Sequence, residues 1–172
     1  FFNIKNGRLY SDTTHDTAYI DNQHLIKEPS FQYRLKNTKI INGNIRENIA
    51  IINGTPHFLK KFKGTIFSLL TGGAGKNNYW HWFFDVLPRI AILEKSGYKK
   101  KINYYLLPSI SKKYQVNSFV NLNISNKKLL NGNQFKHIKC ENLLAVDHPT
   151  VLNNNPSSSI TNIPNWIILW LR

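Results

Sequence analysis

The sequence predicts an α/β domain led by a short β-rich segment, and three observations carry that prediction. From about residue 62 onward, strand-like and helix-like stretches alternate. Before that point the chain reads as short strands split by polar turns. Early in the second regime lies a glycine turn, Gly72-Gly73-Ala74-Gly75. It joins an apolar, β-branched run, Thr65-Ile66-Phe67-Ser68-Leu69-Leu70, to an aromatic helix that starts near Asn78.

The early strands are Arg8-Leu9-Tyr10-Ser11 and Thr17-Ala18-Tyr19-Ile20. Asn22-Gln23 then turns the chain into His24-Leu25-Ile26. Further strands, Thr38 to Ile41 and Ile45 to Ile52, flank the turn Asn42-Gly43-Asn44. His15 and His24 lie beside turns and carry no assigned role. In the second regime, a strand over 64–70 leads into a helix from 78 to about 96, capped by Gly97. A strand from Ile102 to Leu107 closes at Pro108, and a helix follows over 112–122. Strands at Lys127 to Leu130 and His137 to Val146 complete the set. The Asn-Pro-Ser stretch over 153–159 reads as a linker, and a last helix runs from Trp166 to Arg172 with no surface in the chain left for it to cover.

Composition bounds the answer. The chain has 172 residues, enough for one domain with a core, and 41% hydrophobic content places it among folded proteins. It opens on Phe1-Phe2 and contains no methionine, which leads us to expect a fragment or a processed product. The lone Cys140 can form no internal disulfide and is too few for a zinc site, so it reads as an ordinary strand residue. The longest apolar run, Trp166 to Leu171, falls far short of the roughly 20 residues that span a bilayer. A net charge of +14 raises the question of nucleic acid. The lysines are scattered in short runs at element boundaries, such as Lys99-Lys100-Lys101, and no DNA- or RNA-binding motif accompanies them. The expectation is no nucleic-acid partner, with peripheral contact to an anionic membrane surface, or contact with an acidic glycan, favoured instead.

The helix after the glycine turn is the unusual element. Tyr79, Trp80, Trp82, Phe83, Phe84, Val86, Leu87 and Ile90 make it apolar on almost every side, so it is expected to be buried. Its polar residues are Asn78, His81, Asp85 and Arg89, spaced three, four and four, and so confined to one stripe. Asn77 or Asn78 supplies the N-cap. Buried amide, imidazole, carboxylate and guanidinium groups must be satisfied or used. One reading is a hydrogen-bonded network in which Asp85 accepts from His81 and Arg89. The other is a functional site. Pro88 removes a helical hydrogen bond and disfavours helical geometry at Leu87, so a kink is expected there, freeing a main-chain carbonyl beside the stripe.

Two nucleotide motifs are tested and fail. Gly72-Gly73-Ala74-Gly75-Lys76 lacks the Ser or Thr and the earlier glycine of a P-loop. Gly73 and Gly75 fit two glycines of a dinucleotide fingerprint, but Asn78 stands at the third. The general property survives: a glycine turn before a helix lets backbone N–H groups approach an anion.

The run Asn78-Tyr79-Trp80-His81-Trp82-Phe83-Phe84-Asp85-Val86-Leu87-Pro88-Arg89-Ile90 resembles the signature of glycosyltransferase family 61, which includes capsular-polysaccharide biosynthesis proteins and xylosyltransferases. Ser30-Phe31-Gln32-Tyr33 and Gly7-Arg8-Leu9-Tyr10-Ser11-Asp12 resemble the family's N-terminal part. The resemblance implies two Rossmann-like domains in a GT-B arrangement, of which this chain is the N-terminal, acceptor-side half. It divides the chain into a β-rich segment over 1–60, a Rossmann-like parallel sheet with flanking helices over 61–152, and a linker and helix over 153–172 leading to a C-terminal donor domain. It implies inverting sugar transfer from a nucleotide sugar to a glycan or other hydroxyl acceptor, in polysaccharide biosynthesis at the cytoplasm or the cytoplasmic face of the membrane. No cofactor or metal is implied. His81 and Asp85 become the catalytic candidates, with either as the base, and Asn78, Arg89, Gly73 and Gly75 the substrate-binding ones. The alternatives are a non-catalytic interaction domain with a structural His-Asp-Arg network, and a dinucleotide-binding enzyme domain.

Overall fold

A computed structural model describes residues 1–11, 17–22, 24–26, 29–30, 57–70, 77–150 and 162–172. The glycine turn, the strands expected over 38–52 and the 153–159 linker lie outside the described residues.

One eight-stranded mixed sheet organises the chain. Its strands are β1 (Phe2–Lys5), β2 (Arg8–Ser11), β3 (Thr17–Asp21), β4 (His24–Leu25), β5 (Lys60–Ser68), β6 (Tyr104–Leu107), β7 (Leu129–Asn131) and β8 (His137–Ala145). The order is β4-β3-β2-β8-β5-β6-β7, with β1 also on β8. β8, β5, β6 and β7 are mutually parallel, as expected of the alternating half. β1 to β4, from the N-terminal β-rich segment, extend this sheet antiparallel to their neighbours, and among β2, β3 and β4 no other sense is open. The reason is connection length. Five residues separate β2 from β3, and two separate β3 from β4. A parallel neighbour needs a crossover of about a dozen or more. β1 and β2 run end to end along one edge of β8, pairing with Asn142–Ala145 and His137–Lys139. Asn6, in the left-handed region at φ 52°, makes the kink between them.

The long crossover from β5 to β6 is not one helix. It comprises a short α1 (Tyr79–His81), a π-helical turn (Trp82–Val86) and α2 (Pro88–Lys95). The helix type changes at Leu87, but the expected loss of helical geometry there does not occur, since Leu87 keeps φ −62° and ψ −40°. Pro88 has no N–H to donate and is placed first in α2, where none is needed. The wider turn closes just before it, with Leu87 N donating to Trp82 O at 3.0 Å. α2 ends at Gly97, whose φ of 74° suits a residue without a Cβ. α3 (Lys113–Asn121) links β6 to β7, and α4 (Asn165–Leu171) ends the chain.

Strand alternation divides the core into two layers. Phe67, Tyr105, Leu107 and Leu144 face the helices and meet Trp82, Val86, Ile90 and Phe119. Ile66, Leu106, Leu143 and Ala145 face the other way and meet Ile4, Leu9 and Tyr19. α4 does find a surface to cover. Ile167 is buried, Trp170 and Leu171 pack against the helical layer, and Trp170 Nε1 donates to Glu94 Oε2 on α2 at 3.1 Å. Cys140 is buried in the second layer, and burial pushes its thiol up to about 12, as befits a strand residue without chemistry. Among the described residues no helix is long and apolar enough to cross a membrane.

The expectation of burial on every side of the aromatic helix is corrected. Trp82, Val86, Leu87 and Ile90 are buried, but Tyr79 is 62% exposed and Trp80, Phe83 and Phe84 are half-buried. Only one side of the first turns meets the sheet.

Candidate active site

Two neighbouring parallel strands, β5 and β8, end on the same side of the sheet. From β5 the chain steps to β6 and β7 on one side, then returns to place β8 on the other. In open α/β sheets the crevice beyond the carboxyl ends of strands at such a reversal is the usual ligand site. The polar stripe of the helix is positioned there. Asn78 is the cap, its Oδ1 accepting from His81 N at 3.3 Å. The capped α1 presents His81, and the π turn carries Asp85 inward, where it is 3% exposed. π turns of this kind occur often at functional sites.

Asp85 is gripped by two imidazoles. His81 Nδ1 lies 2.5 Å from Oδ2, and His148 Nε2 lies 3.2 Å from Oδ1. His148 is three residues beyond the end of β8. Burial raises the Asp85 carboxyl, but hydrogen bonds from His148 and His81 and their charges outweigh it and lower the group to about 2. An ionised carboxylate at neutral pH accepts hydrogen bonds only, so both imidazoles donate to it.

The two histidines differ in what their second nitrogen meets. His148 Nδ1 receives the Thr150 hydroxyl at 2.7 Å and the Thr150 main-chain N–H at 3.3 Å. Nδ1 also lies 3.4 Å from the Thr150 main-chain oxygen, the longest of its three contacts; with the closer Thr150 hydroxyl and N–H as donors, Nδ1 accepts and the proton sits on Nε2, facing Asp85. With a side chain 8% exposed, His148 is a buried clamp with both nitrogens engaged. His81 is the reverse. Its Nδ1–H faces Asp85, its side chain is 29% exposed, and its Nε2 makes no hydrogen bond among the described residues. The arrangement can take a proton from a hydroxyl at His81 Nε2, while the fixed Asp85 carboxylate orients the ring and balances the charge that forms.

Arg89 is 1% exposed. Its Nε donates to the Asp85 main-chain carbonyl at 3.1 Å, and one terminal nitrogen donates to Val146 O at 3.0 Å. The sequence reading that Asp85 accepts from Arg89 is therefore corrected in part: the guanidinium takes the carbonyl of Asp85, and His148 takes the carboxylate. Arg89 fastens the π turn to the end of β8. Burial lowers its pKa, against the raising charges of Tyr19, Asp85 and Asp147.

Of the residues the sequence singles out, Asn78, His81, Asp85 and Arg89 are brought together here, while Gly73 and Gly75 lie outside the described residues. His148 and Thr150 were missed. The available signal was positional, because Asp147-His148 follows directly on an apolar strand, and the carboxyl end of a parallel strand is where chemistry collects. A shallow groove of about 140 Å³ lies elsewhere, between Phe83, Leu87, Ser118 and Trp170, with no titratable group in its lining. Among the described residues no group of three or more His, Cys, Asp or Glu is arranged to hold a metal ion.

No protein-family model matches the chain. No curated protein matches it either. No solved structure matches it.

Proposed function

We propose that the chain is the acceptor-side part of an inverting glycosyltransferase that moves a sugar from a nucleotide sugar to a hydroxyl of a glycan. One observation carries the reading: a half-exposed imidazole, oriented by a buried carboxylate, keeps its second nitrogen open at the carboxyl ends of two adjacent parallel strands. The resemblance of residues 78–90 to family 61 supports it from the sequence. The order β7-β6-β5-β8 supports a Rossmann-like core and half of a GT-B arrangement, with β1 to β4 as an antiparallel extension.

In this mechanism His81 Nε2 takes the proton of the acceptor hydroxyl as its oxygen bonds to the anomeric carbon and the nucleoside diphosphate departs. Asp85 holds the ring and stabilises the imidazolium, and His148 with Thr150 holds Asp85. Arg89 keeps the π turn against β8. The exposed Asn78 amide and the Gly73–Gly75 turn remain the candidates for the donor side. The nucleotide sugar is a substrate, and no resident cofactor is invoked. The lysine-rich surface fits peripheral contact with an anionic membrane face, the cytoplasmic one in this reading, and polysaccharide biosynthesis as the setting.

The test is release of nucleoside diphosphate from a panel of nucleotide sugars, with saccharide acceptors present, for the wild type and His81→Ala. A fall of about a hundredfold or more is expected in the protein that stays folded. Equal turnover by the two proteins would refute the assignment of His81. Absence of turnover with every donor, at full length, would refute the activity.

A further inference from the structure

Trp80 sits directly beside the open imidazole. Its ring centroid lies 5.0 Å from that of His81, with the planes at 89°, and 5.0 Å from that of Phe84. Trp80 and Phe84 are both half-buried. A separate aromatic pair on the same crossover is Tyr79, 62% exposed, and Phe83, with ring centroids 4.6 Å apart.

The tryptophans of the chain use their polar handle differently. Trp82 Nε1 donates to Ser118 Oγ at 3.1 Å, and Trp170 Nε1 donates to Glu94 Oε2 at 3.1 Å. Each of these two spends its N–H on the fold, while Trp166 in α4, like Trp80, is half-buried with no hydrogen bond from Nε1 among the described residues, so it is the place beside His81 that sets Trp80 apart. Trp80 Nε1 makes no hydrogen bond among the described residues and is not closed off from solvent. A partly exposed indole face with an unspent N–H is a poor contributor to the core. It is well suited to a ligand with an apolar face and polar edges.

We infer that Trp80, backed by Phe84, is the stacking platform for the acceptor saccharide, a pyranose whose C–H face lies on the indole while one hydroxyl reaches His81 Nε2. The proposal rests on the transferase reading for the word acceptor. The chemistry follows from the ring quadrupole: the negative indole face attracts the weakly positive C–H hydrogens of a pyranose. A sugar carries such hydrogens together with hydroxyls at its rim, so one ligand meets the platform, the free N–H and the base at once. A flat aliphatic partner would leave the N–H and His81 unmet. The stacking also holds the reacting hydroxyl close to the base, which converts binding into rate.

The experiment uses the full-length protein with methyl β-glucopyranoside, methyl β-xylopyranoside and cellobiose as probes, read by saturation-transfer NMR. Transfer to the C–H protons of one ring face is expected for the wild type, for Trp80→Phe and for His81→Ala. Trp80→Ala is expected to weaken binding about tenfold, the scale of one aromatic contact, at unchanged melting temperature. In the transfer assay Trp80→Ala raises the acceptor KM by a similar factor and leaves the nucleotide-sugar KM unchanged. Wild-type-like saccharide binding by a folded Trp80→Ala would overturn the platform, even if His81→Ala still abolished transfer. Failure of all three probes to bind the wild type would overturn it as well. Binding that depends on Trp80, in a protein that transfers no sugar, would uphold the saccharide platform and refute the transferase reading instead.

Discussion

Two histidines at opposite ends of β8 show what separates a candidate base from a buried ring. His137 opens the strand, and His81 shares the Asp85 carboxylate with His148, which follows the strand's end. Both use Nδ1: His81 toward the Asp85 carboxylate at 2.5 Å, His137 toward the His57 main-chain carbonyl at 2.7 Å. The difference lies in the other nitrogen. His137 is 6% exposed, and its Nε2 is buried with no partner among the described residues, as is the Nε of Arg8. Burial lowers the His137 pKa, the charges of Arg8 and His57 lower it further, and the His57 carbonyl only partly offsets them. His137 is thus held neutral and out of reach. His81 has a carboxylate behind it and an open nitrogen in front. Burial of an imidazole is therefore not the signal of use; a buried counter-charge paired with an accessible second nitrogen is.

The largest expected effect breaks the pair apart on the His81 side. His81→Ala lowers turnover about a hundredfold or more in the protein that stays folded, and it lowers the melting temperature modestly because the buried Asp85 carboxylate loses one of its two imidazole donors. His137→Leu, measured beside it, leaves turnover within about twofold. If both variants lost turnover equally, the contrast between the two ends of the strand would be empty.

Asp85→Asn comes next and combines two losses. Turnover falls by a similar factor, because the amide no longer balances an imidazolium. Stability falls too, and the pH dependence fixes its sign. The Asp85 pKa drops from 3.8 to about 2 on folding, so the ionised form is favoured by the native state. Its contribution, about 2 kcal/mol, is fully present above about pH 4 and is lost as pH falls toward about 2. Urea unfolding of the wild type and Asp85→Asn at pH 7 and pH 2.5 should show a gap that closes at the lower pH. A gap of constant size would mean that the carboxylate is not the stabilising species.

His148→Ala should be milder in rate, about tenfold, because the ring orients the carboxylate without meeting substrate. The readout that distinguishes positioning from mere folding is kcat measured on the folded fraction, with the nucleotide-sugar KM unchanged. The smallest effect belongs to His137→Leu at acidic pH. Since the native pKa is depressed, the wild type loses stability as pH falls below about 6.5, where the unfolded ring takes up a proton that the native ring refuses. The variant should have a flatter stability profile there. Identical profiles would show that His137 is protonated freely in the native state.

Much of this site was legible in the sequence, and the limits have physical causes. The stripe of Asn78, His81, Asp85 and Arg89 could be read because four-residue spacing is a local property of a helix. A discontinuity near Leu87 was readable from Pro88 alone, but its form was not: Leu87 stays helical, and the π turn in front of it depends on how Trp82 and Val86 seat against the sheet. His148 was not readable because it reaches Asp85 through strand order, and no periodicity encodes that β8 lies next to β5. The half-exposed side of the aromatic helix was misjudged for a related reason. Tyr79 and Trp80 are as apolar as core residues, and only the edge of the layer beneath them decides that they stay in reach of solvent.

The most direct test of the account is the tautomeric state of the two rings that share Asp85, read from nitrogen-15 NMR correlations of the imidazoles at neutral pH. Opposite tautomers are expected on the one carboxylate: His148 with its proton on Nε2 and a bare Nδ1 toward Thr150, His81 with its proton on Nδ1 and a bare Nε2 open to substrate. In Asp85→Asn the His81 preference for Nδ1–H should weaken. A His81 ring found with its proton on Nε2 in the wild type would leave no lone pair facing outward, and would contradict the assignment of His81 as the base.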